Sequence, residues 1–128
     1  MSAILVDSNV LLDVLTEDER WFAWSSGTLA RAADSSRLFI NPVVYAEISV
    51  RFSRIEELEA AIPQSMLARE SIPYEAAFLA GKIFLTYRRA GGTRTAPLPD
   101  FFIGAHAAVT KARVLTRDPA RFRSSFRP

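Results

Sequence analysis

Four carboxylates stand where acid-dependent chemistry could be built: Asp7, Glu47, Asp100 and Asp118. Asp7 ends the apolar run Ile4-Leu5-Val6, where an acid is costly unless something pairs with it or ligates it. Glu47 falls in the second turn of a helix started by Asn41-Pro42, with Asn as N-cap and Pro at the first helical position. Asp100 opens the apolar segment Asp100–Ala108 as its cap, and Asp118 follows the run Val114-Leu115-Thr116. In an open α/β sheet the strand carboxyl ends and the following helix N-termini share one edge, so all four acids could meet there. Closely packed anions must be protonated or neutralised. A hard divalent cation, Mg²⁺ or Mn²⁺, suits such an all-oxygen set. Each acid also has a plainer reading: a paired acid at a strand end, an exposed helix glutamate, a helix cap, a turn residue before Pro119.

The elements that must position these acids are legible as apolar patterns. Ile4–Val6, Leu38–Ile40 and Val114–Thr116 read as short buried strands of the parallel type. Spacing predicts helices over Glu19–Ala33, with Phe22, Leu29, Ala30 and Ala33 facing inward, and from Pro42 to about Phe52. A short helix near Glu56–Glu59 ends at Pro63, and Met66–Ile72 is ambiguous. A long helix runs from Pro73 to about Arg89, with Ala76, Leu79, Ala80, Ile83 and Tyr87 on its apolar stripe. Ala77, Ala80 and Gly81 would admit a neighbouring helix closely. Residues 90–99, with Gly91-Gly92, Pro97 and Pro99, form a loop. The tail from Arg121 to Pro128 is basic and otherwise uninformative.

Composition narrows the function classes. At 128 residues, 49% hydrophobic and 23% charged, the chain is expected to be one domain, residues 1–128, soluble and cytoplasmic. It carries no cysteine, which excludes disulfides, thiolate metal sites and cysteine nucleophiles. No signal-peptide pattern and no apolar run of bilayer length is present. Glycine-rich phosphate loops and nucleophile elbows are also missing. His106 is the only histidine, so it supports no histidine-based metal site and reads as a satisfied buried residue. Residues 1–81 hold 6 basic and 12 acidic side chains, net −6, whereas residues 82–128 hold 10 basic and 2 acidic, net +8. Such a basic half suits a polyanionic partner, or is simply a solvated tail.

Four stretches together resemble the PIN-domain ribonucleases, in particular VapC-type toxins of bacterial toxin–antitoxin pairs. They are residues 4–12 (ILVDSNVLL), 41–49 (NPVVYAEIS), 98–107 (LPDFFIGAHA) and 115–122 (LTRDPARF), in family order and spanning nearly the whole chain. The first block reads Asp-Ser-Asn where Asp-Thr-Asn is frequent, which keeps the hydroxyl. The resemblance implies an α/β fold, a PIN-like three-layer α/β/α sandwich with a central, mostly parallel sheet. It carries a metal-binding role to Asp7, Glu47, Asp100 and Asp118 and a supporting role to Asn9 and Thr116. The implied activity is divalent-metal-dependent hydrolysis of RNA phosphodiesters, with Arg94, Lys111, Arg117 and Arg121 as candidates to steer the RNA backbone. The implied partners are RNA, a cognate antitoxin lying over an apolar groove near Trp21 and Trp24, and a second copy in a homodimer. The main alternative is a catalytically silent PIN-like module that binds RNA or protein. Receiver-type phosphatase domains and related DNA nucleases fit less well. The former want a second acid or a lysine that is not supplied, and the latter are usually larger.

Overall fold

The apolar run at the start of the chain forms the middle of the sheet. In the computed structural model, which describes residues 2–94, 98–120 and 122, β1 (Ser2–Val6) is flanked by β2 (Ser36–Ile40) and β4 (Arg113–Leu115), and β3 (Ala68–Arg69) lies outside β2. The order is β3-β2-β1-β4 and every pairing is parallel, with Leu5 opposite Phe39 and Val114, and Ile40 opposite Arg69. Ile4, Leu5 and Val6 are all buried. A central parallel strand has both faces covered and is therefore apolar without alternation.

Six helices flank this sheet among the described residues: α1 (Ser8–Leu15), α2 (Phe22–Ser35), α3 (Pro42–Ser49), α4 (Ile55–Ala61), α5 (Tyr74–Arg89) and α6 (Pro99–Thr110). None is long and apolar enough to cross a membrane. β1 connects onward to β2 on one side, while β4 arrives on the other. This reversal makes the carboxyl end of β1 a topological switch point, the place where open α/β sheets hold their ligands.

Several boundaries differ from the sequence expectation for local reasons. α2 begins at Phe22, not Glu19, because the Asp18 carboxylate accepts the Arg20 and Trp21 N–H groups (3.1 and 2.8 Å) and holds a turn ahead of the helix. Its inward face carries Ser25, Leu29 and Ala32, while Phe22, Ala30 and Ala33 are exposed. α3 stops at Ser49, before the tight turn at Val50–Phe52. Asp100 does not cap α6: Leu98 is the N-cap, Pro99 takes the first position and Asp100 lies within the first turn. Proline has no N–H and a preset φ, so it occupies that place readily. β3 lies in the stretch that was ambiguous from sequence.

The main core joins Ile4–Val6, Val10, Leu38–Ile40, Val44, Ile48, Leu58, Ile103 and Phe122, the last of these from the tail. A second, smaller core joins Ala76 and Ala80 of α5 to Phe101 and Ala105 of α6. The apolar stripe predicted on α5 is the one that packs there, and its alanines let α6 approach closely.

Candidate functional site

β1 delivers Asp7 to the switch point, and Asp7 starts α1. Its backbone is extended (φ −72°, ψ 150°) and its Oδ1 accepts the Ser8 N–H at 2.8 Å as an N-cap. Its other oxygen, Oδ2, accepts the Thr116 hydroxyl at 2.8 Å. The side chain is wholly buried, so both hydrogen bonds act in a low-dielectric setting, where they are strong and costly to lose.

Thr116 is the hub of this corner. β4 reaches it because the Asp7 N–H donates to the Leu115 carbonyl at 2.9 Å, extending the β1–β4 ladder. While donating to Asp7, the Thr116 hydroxyl oxygen accepts from Asn9 Nδ2 (3.2 Å) and from the Asp118 N–H (3.1 Å). Asn9 Oδ1 also faces the Arg117 N–H at 3.4 Å. The two supporting residues named from sequence thus bind each other and orient Asp7, and the backbone of Asp118 is tied to the same oxygen. Asp118 itself is exposed.

Glu47 reaches the corner from α3 through Ser8, whose hydroxyl donates to Glu47 Oε1 at 2.9 Å. The hydroxyl retained in the Asp-Ser-Asn block is therefore in use. Asp100 comes to the same edge on α6, which runs back across the sheet toward β4. The Asn41–His106 hydrogen bond fixes the middle of that helix at the carboxyl end of β2. Asp100 stands six residues before His106, roughly a turn and a half further out at ~3.6 residues per turn. Among the described residues, no three acidic or histidine side chains close on a single cation position. The donor chemistry still suits a hard divalent cation, since every candidate ligand is a carboxylate oxygen.

The basic candidates divide. Arg117 is a strut: its Nε donates to Asp13 Oδ2 at 2.8 Å, and its guanidinium lies 5.3 Å from the Trp21 ring centroid. Lys111 is the left-handed C-cap of α6 (φ 60°), at the opposite end of the helix from Asp100. At ~1.5 Å per residue that is about 16 Å along the axis, so it is not brought to the site. Arg94 lies in the loop that leads into α6 and is exposed. Its N–H and that of Thr93 donate to the Tyr87 phenol oxygen at 3.2 Å each, which lowers the phenol's pKa from its ordinary value. Gly92 allows this loop to fold onto Tyr87, because a Cβ there would sit 2.0 Å from the ring. Arg121 lies outside the described residues.

Three contributors escaped the sequence reading. Asp13 is buried on α1 and accepts from Ser25 Oγ (2.7 Å) as well as from Arg117, tying α1 to α2 and to the chain after β4. An acid inside Val10-Leu11-Leu12-Asp13-Val14-Leu15 was the available signal. Arg88 and Arg89 occupy the last turn of α5. The Tyr87–Phe101 ring contact, 5.7 Å between centroids, sets that end of α5 beside the start of α6, so these cations neighbour Asp100's helix. A groove of about 610 Å³ opens beside α3, lined by Ile40, Pro42, Tyr45, Arg69 and Glu70 among others, and none of the four acids lines it.

A doubly wound parallel domain with carboxylates and their orienting hydroxyls at the topological switch defines a class of acid-site α/β proteins. Within that class, the sequence model of the PIN domain matches residues 4–124, and the chain belongs to the PIN-domain family. No curated protein sequence matches it. Solved structures share the fold. A chain from VapBC2 of Rickettsia felis, bound to a DNA fragment from their promoter, superposes with a TM-score of 0.71 at 17% identity, covering 95% of this chain and 92% of that one. A chain from VapBC-1 of nontypeable Haemophilus influenzae gives 0.70 at 16% identity, with coverage of 94% and 90%. A chain from FitAcB of Neisseria gonorrhoeae gives 0.67 at 20% identity, with coverage of 95% and 92%.

Proposed function

We propose that this PIN-domain chain is a divalent-metal-dependent endoribonuclease and the toxin of a toxin–antitoxin pair. The observation that carries the reading is Asp7: a fully buried carboxylate at the switch point of the sheet, oriented by Thr116 and linked through Ser8 to Glu47. Burying an acid in this way is costly, and a site for a cation accounts for it.

In this reading Asp7, Glu47, Asp100 and Asp118 hold Mg²⁺ or Mn²⁺. Bound there, the ion would supply Lewis acidity and an activated water for in-line attack on the phosphodiester. Thr116 and Asn9 fix the direction in which Asp7 presents its oxygens, the outer-shell role that such sites require. Arg94, with Arg88 and Arg89 nearby, meets the RNA backbone from the α5–α6 side. The names of the structural neighbours, VapBC and FitAB, support a protein antitoxin as the partner. Exposed Phe22 and Trp24 on α2 offer it an apolar surface. A cytoplasmic location and a homodimer accompany the same reading, although Ala76 and Ala80 of α5 are already occupied by α6.

The deciding experiment is incubation of the purified chain, freed of any partner, with total cellular RNA in Mn²⁺, in Mg²⁺ and in EDTA, beside D7N and D100N. Discrete metal-dependent products that vanish in both variants are expected, and competition with DNA checks the substrate class. The second reading, a silent PIN-like module that binds RNA or protein, is favoured by the lack of a closed three-acid group among the described residues. RNA retained without cleavage by a folded chain would select it.

A further inference from the structure

The single histidine lies at the centre of α6 with no solvent exposure, and the cleavage proposed above gives it no role. Its partner is Asn41, itself 2% exposed, at the start of the helix that carries Glu47. We propose that Asn41 and His106 are a positioning pair, joined by one hydrogen bond that fixes the first turn of α3 against α6 and so sets Glu47 and Asp100 relative to each other. This deepens the nuclease reading and rests on it.

The assignment follows from donor and acceptor logic. The first N–H groups of a helix have no partner within it, and an Asn cap supplies one. Asn41 Oδ1 accepts the Val44 N–H at 3.0 Å, so its amide NH₂ is the group facing His106 Nδ1 at 3.1 Å. Nδ1 must then be an acceptor, and the neutral ring carries its proton on Nε2. Nε2 is buried with no hydrogen-bond partner among the described residues, so the expectation of a satisfied histidine holds for one nitrogen only. A leucine of similar bulk would pack against Phe39 without stranding a donor. Packing alone therefore does not explain a histidine here, and the acceptor at Nδ1 does. Burial pushes the ring's pKa below the ordinary histidine value, against the opposing charge of Glu70, which itself pairs with Arg37. The ring thus stays in the neutral form that can accept.

The test compares the wild type with H106L, which keeps bulk and removes the acceptor, and N41S, which keeps a cap oxygen and loses the longer amide NH₂ that reaches Nδ1. H106N, which offers an amide oxygen in place of Nδ1, is the rescue variant. Mn²⁺ binding by electron paramagnetic resonance and RNA cleavage are both measured on chains shown folded by circular dichroism. H106L and N41S are expected to lose about 10- to 100-fold in Mn²⁺ affinity and in kcat with KM for RNA little changed, and H106N to recover most of it. H106L and N41S proteins that bind Mn²⁺ and cleave like the wild type would overturn the pair. A wild type that neither binds Mn²⁺ nor cleaves removes the nuclease reading and the proposal with it, a result distinct from unaffected variants of an active parent. Should the variants fail to fold, the one imidazole resonance of the wild type decides by long-range ¹H–¹⁵N correlation. The Nε2–H tautomer is expected, and a ring protonated at Nδ1 overturns the assignment.

Discussion

The surroundings of Asp7 and the helix that carries Asp100 are held by different forces. Around Asp7 the chain spends polar groups: Thr116, Asn9, Ser8 and the Arg117 and Asp118 amides form one connected set. Around Asp100 it relies on close packing, with Ala76 and Ala80 of α5 against Phe101 and Ala105 of α6. Hydrogen bonds fix direction, which the proposed role of Asp7 would require of its oxygens. Packing of small residues fixes distance between helix axes, which sets how far out Asp100 stands. A lesion on the first side should therefore damage chemistry more than stability, and on the second side the reverse.

The largest expected effect is from Asp7→Asn, which keeps the side-chain shape and the cap oxygen but removes the charge and the acceptor facing Thr116. RNA cleavage should be abolished while the circular dichroism spectrum remains that of a folded chain, with the melting temperature lowered by that one lost hydrogen bond. Full activity in that variant would break the polar side of the comparison. Next comes Thr116→Val, which leaves Asp7 its backbone partner but not its hydroxyl. A drop of about 10- to 100-fold in Mn²⁺ affinity or cleavage is expected for losing such an orienting group. The packing side is tested by Ala80→Leu, whose added volume between α5 and α6 should lower stability by about 1–3 kcal/mol in urea unfolding. Activity per folded molecule should fall far less than for Thr116→Val. The smallest effect is pH-dependent. Unfolded His106 takes up a proton near its ordinary pKa of 6.5, while the buried ring does so only at lower pH. Between those values the unfolded state binds more protons, so stability falls as pH drops through that window. Urea midpoints on either side of 6.5 should show a decline that H106N lacks.

Much of this was legible in the residues. β1 and β2 read clearly because an apolar run without alternation is what a doubly covered strand requires. The Asn41-Pro42 helix start was plain because its cap chemistry is local. Asp7 was found for the same reason, an acid directly after such a run. β3 was not readable: two residues, Ala68 and Arg69, carry no periodicity, and their pairing with β2 is decided by the sheet edge they meet. Asp13 hid inside a helix whose other residues are apolar, since its partners, Ser25 and Arg117, come from distant parts of the chain. Arg117 looked like a free cation for the same reason. The sequence also put Asp100 at the cap, and the proline before it moved the cap to Leu98.

The hydroxyl of Thr116 and the carboxylate of Asp7 are separated by 109 positions. Joining them closes nearly the whole polypeptide into a loop, a step that comes late because distant contacts pay their ordering entropy before they return anything. Synthesis proceeds from the N-terminus, so Asp7 emerges early and waits without this partner until β4 and the residue after it have been made. A chain cut short before Thr116 keeps three of the four acids and most of the core but cannot orient the first of them. For a molecule whose proposed activity would harm the cell that makes it, order of assembly would itself be a safeguard: the fragment exists before the complete site does.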